Sequence, residues 1–83
     1  MVRTLEWTVG DRMAKARREA GITTGEMCDY LGVHRNSLNA YEHDRTARGV
    51  PLAILRLWAI RCDVDLDWLR ASTRWYSPPA RAA

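Results

Sequence analysis

The chain has 83 residues, 47% of them hydrophobic and 28% charged, with a formal net charge of +3. That is enough for one domain around a modest core, with no second domain expected within these residues, and the composition favours neither a disordered chain nor a membrane protein. No apolar run approaches the roughly 18 residues that cross a bilayer, and Met1-Val2-Arg3-Thr4-Leu5-Glu6-Trp7 lacks the apolar stretch of a secretion signal, so the expected compartment is the cytoplasm.

From Val9 to Ala20 the apolar residues Val9, Met13, Ala16 and Ala20 recur at steps of four, three and four, with Arg12, Lys15, Arg18 and Glu19 on the other face. This spacing predicts an amphipathic helix. Gly21 follows the last periodic position and suits the left-handed conformation that ends helices. Thr23 and Glu26 have the spacing of a capping box, so a second helix starts there. Its apolar face is Met27, Cys28 and Leu31, and Gly32 ends it after about two turns.

Val33 and His34 make a short connection to Arg35 through Glu42, where Leu38 and Tyr41 lie three apart and predict a third short helix. Its outward face holds Arg35, Asn36, Asn39, Ala40 and His43, rich in side chains that hydrogen-bond and poor in the Glu/Lys pairs of an ordinary solvated helix. From His43 to Val50 almost nothing is apolar, which reads as a solvated loop. Pro51 fits the first position of a fourth helix, because its missing amide would be unpaired there. Leu52, Leu55, Ala59 and Cys62 follow at helical spacing with Ile54 and Trp58 on an adjoining stripe, making this the expected centre of the core.

Asp65 is the expected N-cap of a short fifth helix from Leu66 to Ala71, with Leu66 and Leu69 inward beside Trp68. The last residues, which include Ser77-Pro78-Pro79, are expected to form a poorly ordered tail. With no strand alternation and no repeat, the expected architecture is an all-α bundle of five helices. It divides into an N-terminal arm (1–8), a helical domain (9–71) and a tail or linker start (72–83).

Arg supplies twelve of the thirteen basic residues. Its planar fork suits phosphates and guanine edges, while codon bias in a GC-rich genome gives the same excess. Cys28 and Cys62 sit among apolar neighbours and read as free thiols. Together with His34 and His43 they lack the paired spacing of a zinc site, and the carboxylates are scattered. Neither a metal, a cofactor, a small-molecule substrate nor catalysis is expected.

Two short helices joined around Gly32, the second of them polar, form the unit that places its second helix in the major groove of DNA. A helix fills that groove, roughly 12 Å wide, and its first turn comes closest to the base edges. Arg can donate two hydrogen bonds to guanine and Asn can pair with adenine, so Arg35, Asn36 and Asn39 have the chemistry of direct readout.

The run from Val9-Gly10-Asp11-Arg12-Met13 through Thr23-Thr24-Gly25-Glu26-Met27-Cys28 and Leu31-Gly32-Val33 to Ser37-Leu38-Asn39-Ala40-Tyr41-Glu42 resembles the lambda-repressor/Cro-like helix-turn-helix regulators. Val64-Asp65-Leu66-Asp67-Trp68-Leu69 looks like that family's fifth helix. The resemblance implies a five-helix domain that binds a double-stranded DNA operator and regulates transcription, in the setting of a phage or prophage repressor of the Cro or immunity type. It also implies roles by position. Arg35, Asn36 and Asn39 read bases, and Ala40 can set its methyl against a thymine methyl. Thr24 contacts phosphate or a neighbouring base, and Ser37, His43, Arg45 and Arg48 hold the DNA backbone. Arg17 pairs with Glu42, with a phosphate as the alternative partner of Arg17.

Because one short helix reads few bases, a homodimer on half-sites one turn apart is expected, with helix five and Trp75-Tyr76 as its interface. Some positions depart from the family pattern. His34 stands where a Ser or Thr cap is usual and Gly25 lies inside helix two, and both are expected to weaken their helices. Asp44 and Asp63 replace glycines at helix ends, which Asp tolerates in part, and the course of the loop after Asp44 stays open. The alternative function is a protein-binding helical module such as an antitoxin. In that case Trp7, Trp68, Trp75 and Tyr76 would form a contact surface, where otherwise they belong to the core.

Overall fold

Helix boundaries in this chain follow from its caps. The computed structural model describes residues 7–70, in which the order is α1 (Val9–Glu19), α2 (Thr24–Leu31), α3 (Arg35–Glu42), α4 (Leu52–Cys62) and α5 (Leu66–Arg70). Most of the N-terminal arm, Ala71, the Trp75-Tyr76 segment and the Pro78-Pro79 tail lie outside the described residues. Each start has a polar acceptor for an amide that the helix leaves unpaired, except α4. Thr8 and Asp11 form a capping box at α1, and Thr23 and Glu26 form one at α2. His34 caps α3, and Asp65 accepts from the Asp67 amide at 3.4 Å. Helix α4 starts one residue later than expected: Pro51 stands before it, and its carbonyl accepts from the amides of Ile54 and Leu55.

The first four helices end alike, with a left-handed residue at Gly21 (φ 73°), Gly32 (φ 70°), Asp44 (φ 55°) and Asp63 (φ 57°). The amide after each returns to a carbonyl five residues back, from Ile22 to Arg17, Val33 to Cys28, Arg45 to Ala40 and Val64 to Ala59. These bonds satisfy carbonyls that a helix end leaves open, and a short Asp side chain tolerates the turn where glycine is usual.

The core joins Met13, Ala16, Ile22, Met27, Leu38, Leu55, Trp58, Ala59, Cys62 and Leu69. Trp58 is fully buried, and its indole N–H donates to the Met13 carbonyl at 2.9 Å, tying α4 to α1. Burial of so large a ring is favourable only because its polar atom finds that acceptor. Neither Cys28 nor Cys62 forms a disulfide among the described residues. No helix among the described residues is long and apolar enough to cross a membrane.

Two side chains fall on the other side from the one that periodicity marks. Arg12, expected on the solvent face of α1, is fully buried. The cause is that α1 packs against α3, α4 and α5 together, so its solvent strip narrows to Asp11, Lys15, Arg18 and Glu19. Leu52, expected inward, is 41% exposed, because it stands in the first turn of α4, ahead of the part that meets the core at Leu55.

Candidate nucleic-acid interface

Between Leu31 and Arg35 the chain turns in three residues. Gly32 takes the left-handed conformation, Val33 packs on the core, and His34 is extended with φ −74° and ψ 152°. The turn therefore sets α3 against α2, and Leu38, 1% exposed, with the partly buried Tyr41 fixes which side of α3 faces inward. Arg35, Asn36 and Asn39 consequently face solvent, at spacings of one and four residues that a helix puts on one side. Their side chains make no hydrogen bond or ion pair among the described residues.

Around this face the other expected site residues take different places. Thr24 is the first residue of α2, and it is half-buried, as are Ser37 and Ala40 in α3. His43 is exposed at the end of α3, with Nδ1 2.8 Å from the Asn39 carbonyl oxygen. Arg45 and Arg48 are exposed in the loop that follows. The helix brings Arg35, Asn36, Asn39 and His43 onto one outer surface, whereas Arg48 lines a groove with Thr8, Val9, Asp44 and Arg70.

Three contacts hold α3 in place from behind. Arg17 of α1 donates through Nε and Nη2 to the two carboxylate oxygens of Glu42, at 2.7 and 3.3 Å, and through Nη1 to the Ile22 carbonyl at 3.0 Å. This fork engages the guanidinium inside the molecule, with both side chains largely out of water. Asp44, just past α3, turns its carboxylate toward the start of α1, where it accepts from the Thr8 hydroxyl and, at 3.0 Å, from the Gly10 amide. A negative group there meets the positive pole of the helix. Finally, α1 and α3 touch main chain to main chain. A Cβ on Gly10 would lie 2.7 Å from the carbonyl oxygens of Tyr41 and Glu42, so only glycine fits.

Several of these features escape a reading of the sequence. His34, expected to weaken α3, caps it, because imidazole Nδ1 accepts from the Asn36 amide at 3.0 Å as a Ser or Thr oxygen would. Thr8 belongs to the domain and not only to an arm, and the signal was available in the capping-box spacing of Thr8 and Asp11. The carboxylate of Asp44 faces α1, a long-range contact that no local pattern announces. At the start of α2 the Glu26 carboxyl is held below the ordinary carboxylate value, first by the Thr23 backbone amide, then by the Thr23 hydroxyl, with Arg61 adding to the effect.

A search of the curated proteins found no match. Among solved structures, the N-terminal DNA-binding domain of SinR from Bacillus subtilis is similar, with a TM-score of 0.65 and 23% identity over 74% of this chain and 87% of that one. The likeness shows the shared fold of five helices with the turn between the second and third. The family model described as Helix-turn-helix matches residues 13–69, which include every core residue given above. The chain belongs to the lambda-repressor/Cro-like helix-turn-helix family of DNA-binding transcriptional regulators.

Proposed function

We propose that this protein is a repressor of the Cro or immunity-repressor type, as found in phages and prophages, that recognises a specific double-stranded operator by laying α3 in the major groove. The observation that carries the sequence-reading role is the outer face of α3, where Arg35, Asn36 and Asn39 are exposed and make no hydrogen bond within the described chain. Arg35 matches guanine O6 and N7, Asn36 and Asn39 match adenine, and the Ala40 methyl suits thymine. Thr24, Ser37, His43, Arg45 and Arg48 hold phosphates and set the register. The phage setting rests on the family resemblance.

Selection of bound duplexes from a random pool tests the reading, repeated with Arg35→Ala and Asn36→Ala. Altered base preference at one or two positions is the expected result. Uniform weakening across all sequences would reduce both residues to backbone contacts, and failure to select any duplex would remove the function.

One short helix reads too few bases for selectivity, so the protein acts as a homodimer on half-sites roughly 34 Å apart. What supports a second copy is the outer side of α4, where Leu57 and Ile60 are exposed, Ile60 by 71%. Ile60 shares a groove with Arg56, Asp63, Asp65 and Leu66, so this face runs on to the start of α5, the helix expected at the interface; Trp75-Tyr76 lies outside the described residues. An Ile60→Asp substitution is expected to leave a monomer in sedimentation equilibrium and to abolish two-site binding.

A further inference from the structure

A groove of about 440 Å³ lies between the start of α1, the loop after α3 and the end of α5. Arg48 of the loop and Arg70 of α5 both line it. Neither makes a hydrogen bond or ion pair among the described residues. An acid shares the groove but is committed elsewhere, since the Asp44 carboxylate accepts from the Thr8 hydroxyl and the Gly10 amide. Part of the wall is apolar, formed by Val9, Val50 and the buried Leu55. Building on the DNA-binding reading above, we infer that this groove binds a small amphipathic monocarboxylate that competes with DNA for Arg48. Arg48 and Arg70 clamp its carboxylate, and its hydrocarbon body rests on Val9, Val50 and Leu55.

Size, charge and wall chemistry each narrow the ligand class. The volume falls within the roughly 300 to 1,000 Å³ of small-molecule sites. Two guanidinium groups lining one groove repel each other, and an anion shared between them turns that repulsion into attraction. A carboxylate matches the planar fork of each arginine. Two guanidinium groups less the one carboxylate of Asp44 leave the lining with a net charge of +1, which a monoanion balances. A phosphate dianion would bring surplus negative charge beside Asp44. The apolar wall favours a ligand with hydrocarbon to bury, which inorganic anions lack. Regulation follows from the place of Arg48. A guanidinium that holds a carboxylate has fewer hydrogens to offer a DNA phosphate, and linkage makes the antagonism mutual. The ligand therefore loosens the operator complex.

The test begins without DNA, as a proton–carbon NMR titration of the full chain with sodium hexanoate. The methyl signals of Val9, Val50 and Leu55 are expected to shift and to saturate at millimolar hexanoate. Hexanol, and inorganic phosphate at matched ionic strength, are expected to give no saturation. Arg70→Gln, which alters no residue assigned to the DNA, is expected to abolish the hexanoate response and to leave DNA affinity unchanged. On the duplexes that the chain selects, saturating hexanoate is expected to lower affinity about five- to tenfold relative to sodium chloride of equal ionic strength. The slope of log affinity against log salt should fall by about one with it. The inference is overturned by methyl shifts that grow without saturating, by phosphate binding as well as hexanoate, or by an Arg70→Gln chain that still responds. It is overturned equally if saturating hexanoate leaves DNA affinity where it was. A chain that selects no duplex overturns the DNA-binding reading and the antagonism with it, whereas selective DNA binding without a saturable hexanoate site removes this inference alone.

Discussion

The guanidinium of Arg17 and the carboxylate of Glu42 lie 25 positions apart in sequence and meet in a doubly hydrogen-bonded fork. Side-chain exposures of 13% and 7% put this pair nearer to a buried than to a surface bridge, so its loss leaves one uncompensated charge out of water. Replacing Arg17 by Met is expected to cost about 3 to 5 kcal/mol, read by denaturant unfolding. Joint replacement by Arg17→Met and Glu42→Leu is expected to recover much of that loss, because the stranded carboxylate is gone as well. A bridge contributing mainly attraction would give no such recovery. The pairing was legible in the sequence through family resemblance alone, since no local rule links a residue of α1 to the end of α3. The burial of Arg12 was not legible, because a helix wheel cannot know how many neighbours will cover it.

Among the elements, α3 depends on its partners more than on itself, having eight residues and little intrinsic stability at that length. Gly10 is the tightest of its supports. A Gly10→Ala chain must move α1 away from the Tyr41 and Glu42 carbonyls, at an expected cost of about 1 to 3 kcal/mol. DNA affinity should fall more than stability alone explains at temperatures where the variant is still folded, because α3 moves with the seam. Calorimetry paired with binding isotherms checks this, and equal losses in both would show that the seam does not position the helix. For α2, Glu26 titrates below its unfolded value, so its contribution is present above the ordinary carboxylate range and disappears as pH falls through the lowered folded value. Melting temperatures at neutral and strongly acid pH should therefore differ less for Glu26→Gln than for the unaltered chain. Helix ends were the most legible elements, since Gly21, Gly32, Asp44 and Asp63 all take the left-handed turns expected of them. Starts were less so where the cap was an unusual residue, as with His34, or an early one, as with Thr8.

At the scale of the whole molecule, affinity for DNA is expected to follow the phosphate contacts. Each of Arg45→Ala and Arg48→Ala should weaken binding on all sequences alike and reduce the slope of log affinity against log salt by about one. Titrations at several salt concentrations measure this, and an unchanged slope would take both arginines off the DNA. The five-helix architecture was readable in the periodicity, caps and turn residues. The seams that lock its parts were not, because they join α1 to the far end of α3 through Gly10, Asp44 and Arg17. This division of labour has an evolutionary consequence. Arg35, Asn36 and Asn39 hold no part of the fold together, while Gly10, Arg17, Glu42 and Asp44 do. On the proposed reading of the operator by this face, exchanging the first set would re-address the protein while the scaffold stands, so new specificities could diverge one outward side chain at a time, without passing through an unfolded ancestor.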